Sequence, residues 1–335
     1  MKLICFAIIL IYSNKQTNKQ VNLMDKDCEK ELEKLKKHYF TDDLKELKYL
    51  FYNNNDLTTT SCFINLRKLV KLTNKHSKLN NYLEEYLKIY NNNINDLDKD
   101  NRSALHIACR NVSKNSTEKT IEILIKYGAN VNLQTDNGVT SLMYASHLSG
   151  TESSEQVVKM LILAGADVNL QSHYGLNALH LSASFTNTNS TNNTVKLLVD
   201  AGININLQNY EGQTALHLVC RTLNHFSTIE TFNFLIDHCI DVNLQDKDYC
   251  TALHYVLTYT RCFCSLNPYN DCLECSKILV KKIILAGADI FNLLDNNGEP
   301  AISLFSKELK DYCQIEVKSQ TIGIKTGRLT KSAKK

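Results

Sequence analysis

The sequence predicts an all-α repeat solenoid, a stack of helix–turn–helix units with projecting β-turn or hairpin loops. Three observations predict it. The phrase Ser103-Ala104-Leu105-His106 returns as Asn177-Ala178-Leu179-His180, Thr214-Ala215-Leu216-His217 and Thr251-Ala252-Leu253-His254. Thr140-Ser141-Leu142-Met143 fills the gap, so the openings fall at 103, 140, 177, 214 and 251, an interval of 37. A second phrase keeps the same beat: Asn130-Val131-Asn132-Leu133-Gln134, Asp167-Val168-Asn169-Leu170-Gln171, Asn204-Ile205-Asn206-Leu207-Gln208 and Asp241-Val242-Asn243-Leu244-Gln245. Glycines punctuate both ends of the units, at 128, 165, 202 and 287 and again at 138, 175, 212 and 298. Phrases locked to one period in this size range are the signature of a stacked array.

The elements follow in chain order. Met1 to Tyr12 is a short apolar run behind one lysine, too short to span a bilayer. Three readings stand for residues 1–23: a signal-peptide core lacking the small-residue cleavage site that should follow it, an over-extended start with Met24 as the working initiator, or a membrane-anchoring segment. Residues 24–97 are expected to be a helical N-terminal cap. Asp25 to Tyr52 carries one or two amphipathic helices, and Leu79 to Tyr90 is helical in period. Asn91 and Asn95 lie one interval before Gly128 and Asn132, which makes about 59–97 a degenerate unit. Such a cap is expected because an end unit exposes its apolar face.

Within a regular unit, Ala104, Leu105, Ile107 and Ala108 make a short helix of small residues suited to close packing. Ile121, Leu124 and Ile125 make a second helix with an apolar stripe at i, i+3 and i+4. Neither buries its face alone, so neighbouring units must stack to form a core. Proline is confined to Pro268 and Pro300, hydrophobic residues make up 43% and the net charge is only +3. That balance excludes long proline-rich linkers and gives no bulk argument for nucleic acid.

These residues resemble the ankyrin family. The match is to its D-x-x-G-x-T-P-L-H opening and its L-L-x-x-G-A-D-V-N ending, the latter clearest at Leu161-Ile162-Leu163-Ala164-Gly165-Ala166-Asp167-Val168-Asn169. The asparagine- and lysine-rich style is also similar to ankyrin proteins of large DNA viruses. The resemblance implies unit boundaries of 98–134, 135–171, 172–208, 209–245 and 246–294 and a terminal half-unit at 295–312; the lysine-rich stretch 313–335, with little apolar periodicity, is expected to be a disordered basic tail. Alanine or serine replaces the family's proline, and the usual 33-residue period is stretched by four residues between the two helices, in stretches such as Ser184 to Thr194. Asn101, Tyr249 and Cys239 stand at glycine positions. Asparagine tolerates the left-handed conformation; the geometry at the other two is open.

His106, His180, His217 and His254 stand one or two repeats apart, too far for one catalytic or metal site to gather them. The resemblance implies that each hydrogen-bonds within its turn–helix junction. Asn132, Asn169, Asn206 and Asn243 are read as staples of loop backbone. The chemistry-bearing cluster is in the fifth unit: Cys262 and Cys264 form C-x-C, and Cys272 and Cys275 form C-x-x-C. Four thiolates could close a structural zinc site; a free-thiol loop and a redox or disulfide role are the other readings. No other cofactor is expected. Scattered single cysteines elsewhere indicate a reducing compartment.

No P-loop, dinucleotide-binding, metalloprotease or nucleophile-elbow pattern is present. The chain is therefore expected to be a non-enzymatic protein-interaction scaffold, intracellular and cytoplasmic, monomeric, without nucleic-acid partner or membrane span. A viral protein engaging a factor in the host cytoplasm fits. The alternative is a substrate-recruiting adaptor of a ubiquitin ligase, which needs an F-box-like helix after the array where Asp311 to Lys335 is short and polar. The resemblance implies binding along the groove of turn tips and inner helices. Its aromatic middle nominates His173, Tyr174, Phe185, Tyr210 and Arg221 as the partner-binding patch, since tyrosine and arginine anchor interfaces. A plainer reading has Tyr174 and Tyr210 packing on each other.

Overall fold

The computed structural model describes residues 66, 70, 80–89, 94–110, 117–150, 154–223, 226–238, 240–263, 272–304 and 309. The leader, the helices expected over Asp25 to Tyr52, Cys239, Cys264 and the basic tail lie outside them. The described residues are helical, with no strand among them, as the repeat pattern requires. They fall in two compact units. One takes in the chain up to 136 with 140–145 and 152–166; the other takes in 137–139, 146–151 and everything from 167 onward.

The first unit contains α1 (Asn80–Ile89), α2 (Ala104–Arg110), α3 (Thr117–Lys126), the start of α4 (Ser141–His147) and α5 (Glu155–Leu163). Helix α3 packs against α1, α2 and α5. Leu83, Leu87, Leu105, Ile121, Leu124 and Leu161 are buried there. Each such side chain taken from water contributes about 1.5–3 kcal/mol. Thr120 in α3 donates its hydroxyl to the buried Asn80 side chain at 2.8 Å, and Lys126 reaches Glu84 at 2.6 Å. Asn95 behaves as a repeat asparagine: its Nδ2 donates to the Gly128 carbonyl at 3.1 Å and its Oδ1 accepts the Asn130 N–H at 2.6 Å.

The second unit continues with α6 (Ala178–Ala183), α7 (Asn192–Asp200), α8 (Ala215–Thr222), α9 (Ile229–Asp237), α10 (Ala252–Phe263), α11 (Cys272–Leu285) and a 3-10 turn at Ala301–Leu304. Inner helices α6, α8 and α10 stack in series, and each packs on its own outer helix, α7, α9 or α11. The helices are short but their ends are satisfied. Thr191 and Thr228 cap α7 and α9 through their hydroxyls, accepting the backbone N–H three residues on at 3.1 and 3.2 Å. At the other end of α7, Gly202 takes φ +82°, and the next N–H, from Ile203, reaches back to the Leu198 carbonyl at 3.2 Å. That is the six-to-one bond of a glycine-terminated helix.

Two side-chain ladders repeat with the sequence. Asn169, Asn206 and Asn243 each accept a backbone N–H of the next unit, from Asn204, Asp241 and Asp289, at 2.7, 2.8 and 2.7 Å. Gln171 donates to the carbonyls of Gly175 and Gln208, and Gln208 to those of Gly212 and Gln245. The asparagine staples were read from the sequence. The glutamine ladder was not, because its partners are backbone carbonyls of the neighbouring unit, which no spacing identifies.

The four extra residues per unit form a third seam. Ser190 donates to the Ser146 carbonyl at 2.8 Å, its hydroxyl lies 3.1 Å from that of Ser149, and Thr194 donates to Ser149 at 2.7 Å. All of these are buried, so hydroxyls as well as apolar side chains join the inserts. Tyr249 takes φ +58° and donates its N–H to the Asp246 carbonyl at 2.9 Å. The turn thus survives without its glycine, which answers for residue 249 the question the sequence left open.

Candidate functional site

The site is built from two tips and two inner helices of the second unit. The tips climb by backbone hydrogen bonds: His173 N–H to Asn137 carbonyl at 2.9 Å, Tyr210 to Tyr174 at 3.1 Å, Lys247 to Glu211 at 2.9 Å. Serial bonding places successive tip side chains side by side. Gly175 makes this approach feasible, because a Cβ there would sit on the Tyr210 backbone nitrogen.

Behind the tips, α6 and α8 are each locked to the next repeat by a histidine. Asn177 N–H donates to His180 Nδ1 at 3.2 Å, which leaves Nε2–H to bond the Gln213 carbonyl at 3.1 Å. His217 repeats the pattern between Thr214 N–H and the Cys250 carbonyl, each at 3.2 Å. In the first unit His106 spans Ser103 N–H and the Leu133 carbonyl at 3.1 and 2.9 Å. His254 accepts from Thr251 N–H at 3.1 Å, but its buried Nε2 has no hydrogen-bond partner among the described residues. Burial drives His180 down to about 4, against the smaller opposing pull of the Gln213 and Leu207 carbonyls. It is a neutral structural pin at neutral pH. Gln213 is held in turn: its amide donates to the Tyr255 hydroxyl at 2.8 Å, and that hydroxyl donates to Asp246 at 2.6 Å.

Between tips and helices lies a cleft of about 540 Å³. His173, Tyr174, Phe185, Tyr210 and Arg221, the five nominated from sequence, all line it, with Leu176, Leu181 and Leu218 supplying further apolar wall. Tyr174 and Tyr210 remain 65% and 58% exposed, so their rings do not bury each other; the tie between them is the backbone bond. Phe185 is half-buried and held by its neighbours. His147 meets it edge-on with ring centroids 4.8 Å apart, and Phe226 tilts against it at 5.7 Å. Exposed Phe226 prolongs the aromatic wall. The sequence reading missed it because it sits in an insert of irregular length, where the 37-residue register no longer points. The one carboxylate among the residues that line the cleft, Glu211, lies 3.6 Å from Lys247.

The four cysteines of the fifth unit stand differently. Cys262 lies in α10, Cys272 and Cys275 lie in α11, and Cys264 is outside the described residues. The helices thus extend into what was expected to be loop, and the side chains of the four are outside the described set. Cys109 and Cys220 are buried free thiols whose burial raises their pKa far above the ordinary thiol range, leaving them unreactive.

A family model described as ankyrin repeats (3 copies) matches residues 74–172 and 146–246. Together the two stretches run from 74 to 246, more than half of the 335 residues. The chain belongs to the ankyrin-repeat family. Among solved structures this ankyrin chain is similar to the crystal structure of the ankyrin repeat domain of Bcl-3, described there as a unique member of the IkappaB protein family. The sequence identity is 19% and the TM-score 0.57, with 74% of this chain and 97% of that one covered. An identity this low carries the fold alone. No curated protein matches the sequence. Ankyrin repeats generally mediate protein–protein interaction, and the fold is typically a non-enzymatic scaffold. Among the described residues no helix is long and apolar enough to cross a membrane.

Proposed function

We propose that the protein is a non-enzymatic scaffold that binds another protein through the cleft lined by His173, Tyr174, Phe185, Tyr210 and Arg221. The observation that carries this is the exposure of two tyrosines on one wall of a cleft whose opposite side holds an aromatic ring and a guanidinium. Rigid aromatic side chains offer large contact area at low entropic cost, and tyrosine and arginine are enriched among residues that dominate binding energy. A backbone-bonded tip ladder holds that surface in place before a partner arrives, which lowers the ordering cost of association. The array is proposed to begin near 59, supported by the bonds of Asn95 to Gly128 and Asn130. The narrower form, a viral protein engaging a host factor in the cytoplasm, rests on the asparagine- and lysine-rich composition alone.

The test is affinity purification with quantitative mass spectrometry, comparing the native chain with a Tyr174→Ala/Tyr210→Ala variant. Both rings are largely exposed, so the melting temperature should hold to within about 2 °C. The partners retained by the native chain should be lost from the variant. An unchanged partner set sinks the proposal.

A further inference from the structure

The cleft carries a charge preference. Arg221 lines it, is exposed, and has no ion pair with a carboxylate among the described residues. Glu211, the one acidic side chain among the residues that line the cleft, faces Lys247. Phe185, Leu181 and Leu218 line the same cleft as Arg221, so an anion bound there would lie among apolar side chains. An arginine fork in such surroundings matches a carboxylate with two parallel hydrogen bonds. Arg221 also sits in the last turn of α8, where a helix end favours a cation. That preference accounts for a positive charge at the position but not for the three aromatic rings that share its cleft.

We propose that the occupant is an extended segment of a partner protein carrying an aspartate or glutamate on Arg221, with a neighbouring apolar or aromatic side chain between Phe185 and the tyrosine tips. The inference rests on the cleft being the partner-binding site. The volume, about 540 Å³, lies within the ~300–1,000 Å³ range of concave sites. It suits a few side chains of a chain lying across two repeats.

The experiment uses the full-length chain on an array of immobilised hexapeptides, each with one fixed position and the rest randomised. Binding should select aspartate or glutamate at one position and an aromatic or branched apolar residue within two positions of it. The selected peptide is then titrated in solution by fluorescence anisotropy. Changing its acidic residue to the amide should weaken binding about tenfold, as should Arg221→Glu in the protein. Pairing Arg221→Glu with a peptide whose acid is replaced by lysine should recover most of that loss. Arg221→Lys keeps the charge at the helix end but loses the fork, and should fall between the two. Melting curves for each variant report folding separately.

A blank array, selection without an acidic residue, or acid selection untouched by Arg221→Glu overturns the inference. A phosphoserine peptide binding more tightly than its glutamate counterpart overturns the choice of carboxylate. If an acid-independent signal disappears in Tyr174→Ala/Tyr210→Ala, the cleft remains the binding site and only the charge preference fails. If that double variant binds every peptide as the native chain does, the cleft reading fails as well.

Discussion

At the scale of single residues, two glycines with nearly the same backbone do different work. Gly175 and Gly202 have φ of +73° and +82°, a region costly for any side chain with a Cβ. A Cβ at Gly202 would meet nothing within 4 Å, whereas at Gly175 it would strike the Tyr210 backbone and ring. Gly202→Ala is therefore expected to cost about 1–2 kcal/mol, the conformational penalty alone. Gly175→Ala should cost at least about 1 kcal/mol more, because the tip-to-tip hydrogen bond must give way. Urea denaturation of the two variants measures the difference, and equal midpoints would contradict this account of the tip. Asn101 and Tyr249 take φ of +51° and +58° without glycine, so the turn itself tolerates a side chain where the neighbouring tip leaves room.

At the scale of elements, the inner and outer helices from α2 to α9 run six to ten residues, too short to stand alone. They persist because apolar stripes, histidine pins and asparagine staples all join the same neighbours. The inserts add a buried hydroxyl seam, and its energetics differ from those of the apolar core. Ser190→Ala leaves the Ser146 carbonyl without that donor and removes a partner from Ser149. A loss of about 1 kcal/mol is expected, the net contribution of a hydrogen bond, because the Ser146 carbonyl keeps the Ser149 hydroxyl and Ser149 keeps Thr194. Exposed Lys196 in α7 offers the contrast, because its side chain can be cut to alanine without touching the seam. Differential scanning calorimetry on Ser190→Ala and Lys196→Ala should show a clear shift for the first and about 0.5 kcal/mol or less for the second.

At the scale of the molecule, the histidine pins make stability depend on pH. Burial lowers His180 to about 4, and His217 and His254 are lowered by burial as well. The unfolded chain therefore takes up these protons first, near the ordinary imidazole value of about 6.5. Stability from His180 is fully present above that pH, declines as pH falls, and is exhausted near 4, where the folded form protonates too. The loss across this window is on the order of 3 kcal/mol for His180. Denaturant midpoints taken between about pH 7.5 and pH 4.5 should fall steadily, and His180→Gln should flatten part of the slope. A profile that is level down to pH 4.5 would contradict the buried, neutral pin.

The sequence by itself determined the period, the helix–turn–helix unit and the family, and it nominated five of the residues that line the cleft. It could do so because stacking repeats the same environment at the same interval, so a residue's role is written in its register. Tertiary structure decided what register cannot encode. It set Phe226 against Phe185 across inserts of unequal length, and aimed each glutamine at a backbone carbonyl of the next unit. It also left Arg221 exposed in the cleft without a carboxylate partner among the described residues while Glu211 faces Lys247. Those outcomes depend on which groups from different repeats come within a few ångströms, a matter of distance in space that spacing along the chain does not specify.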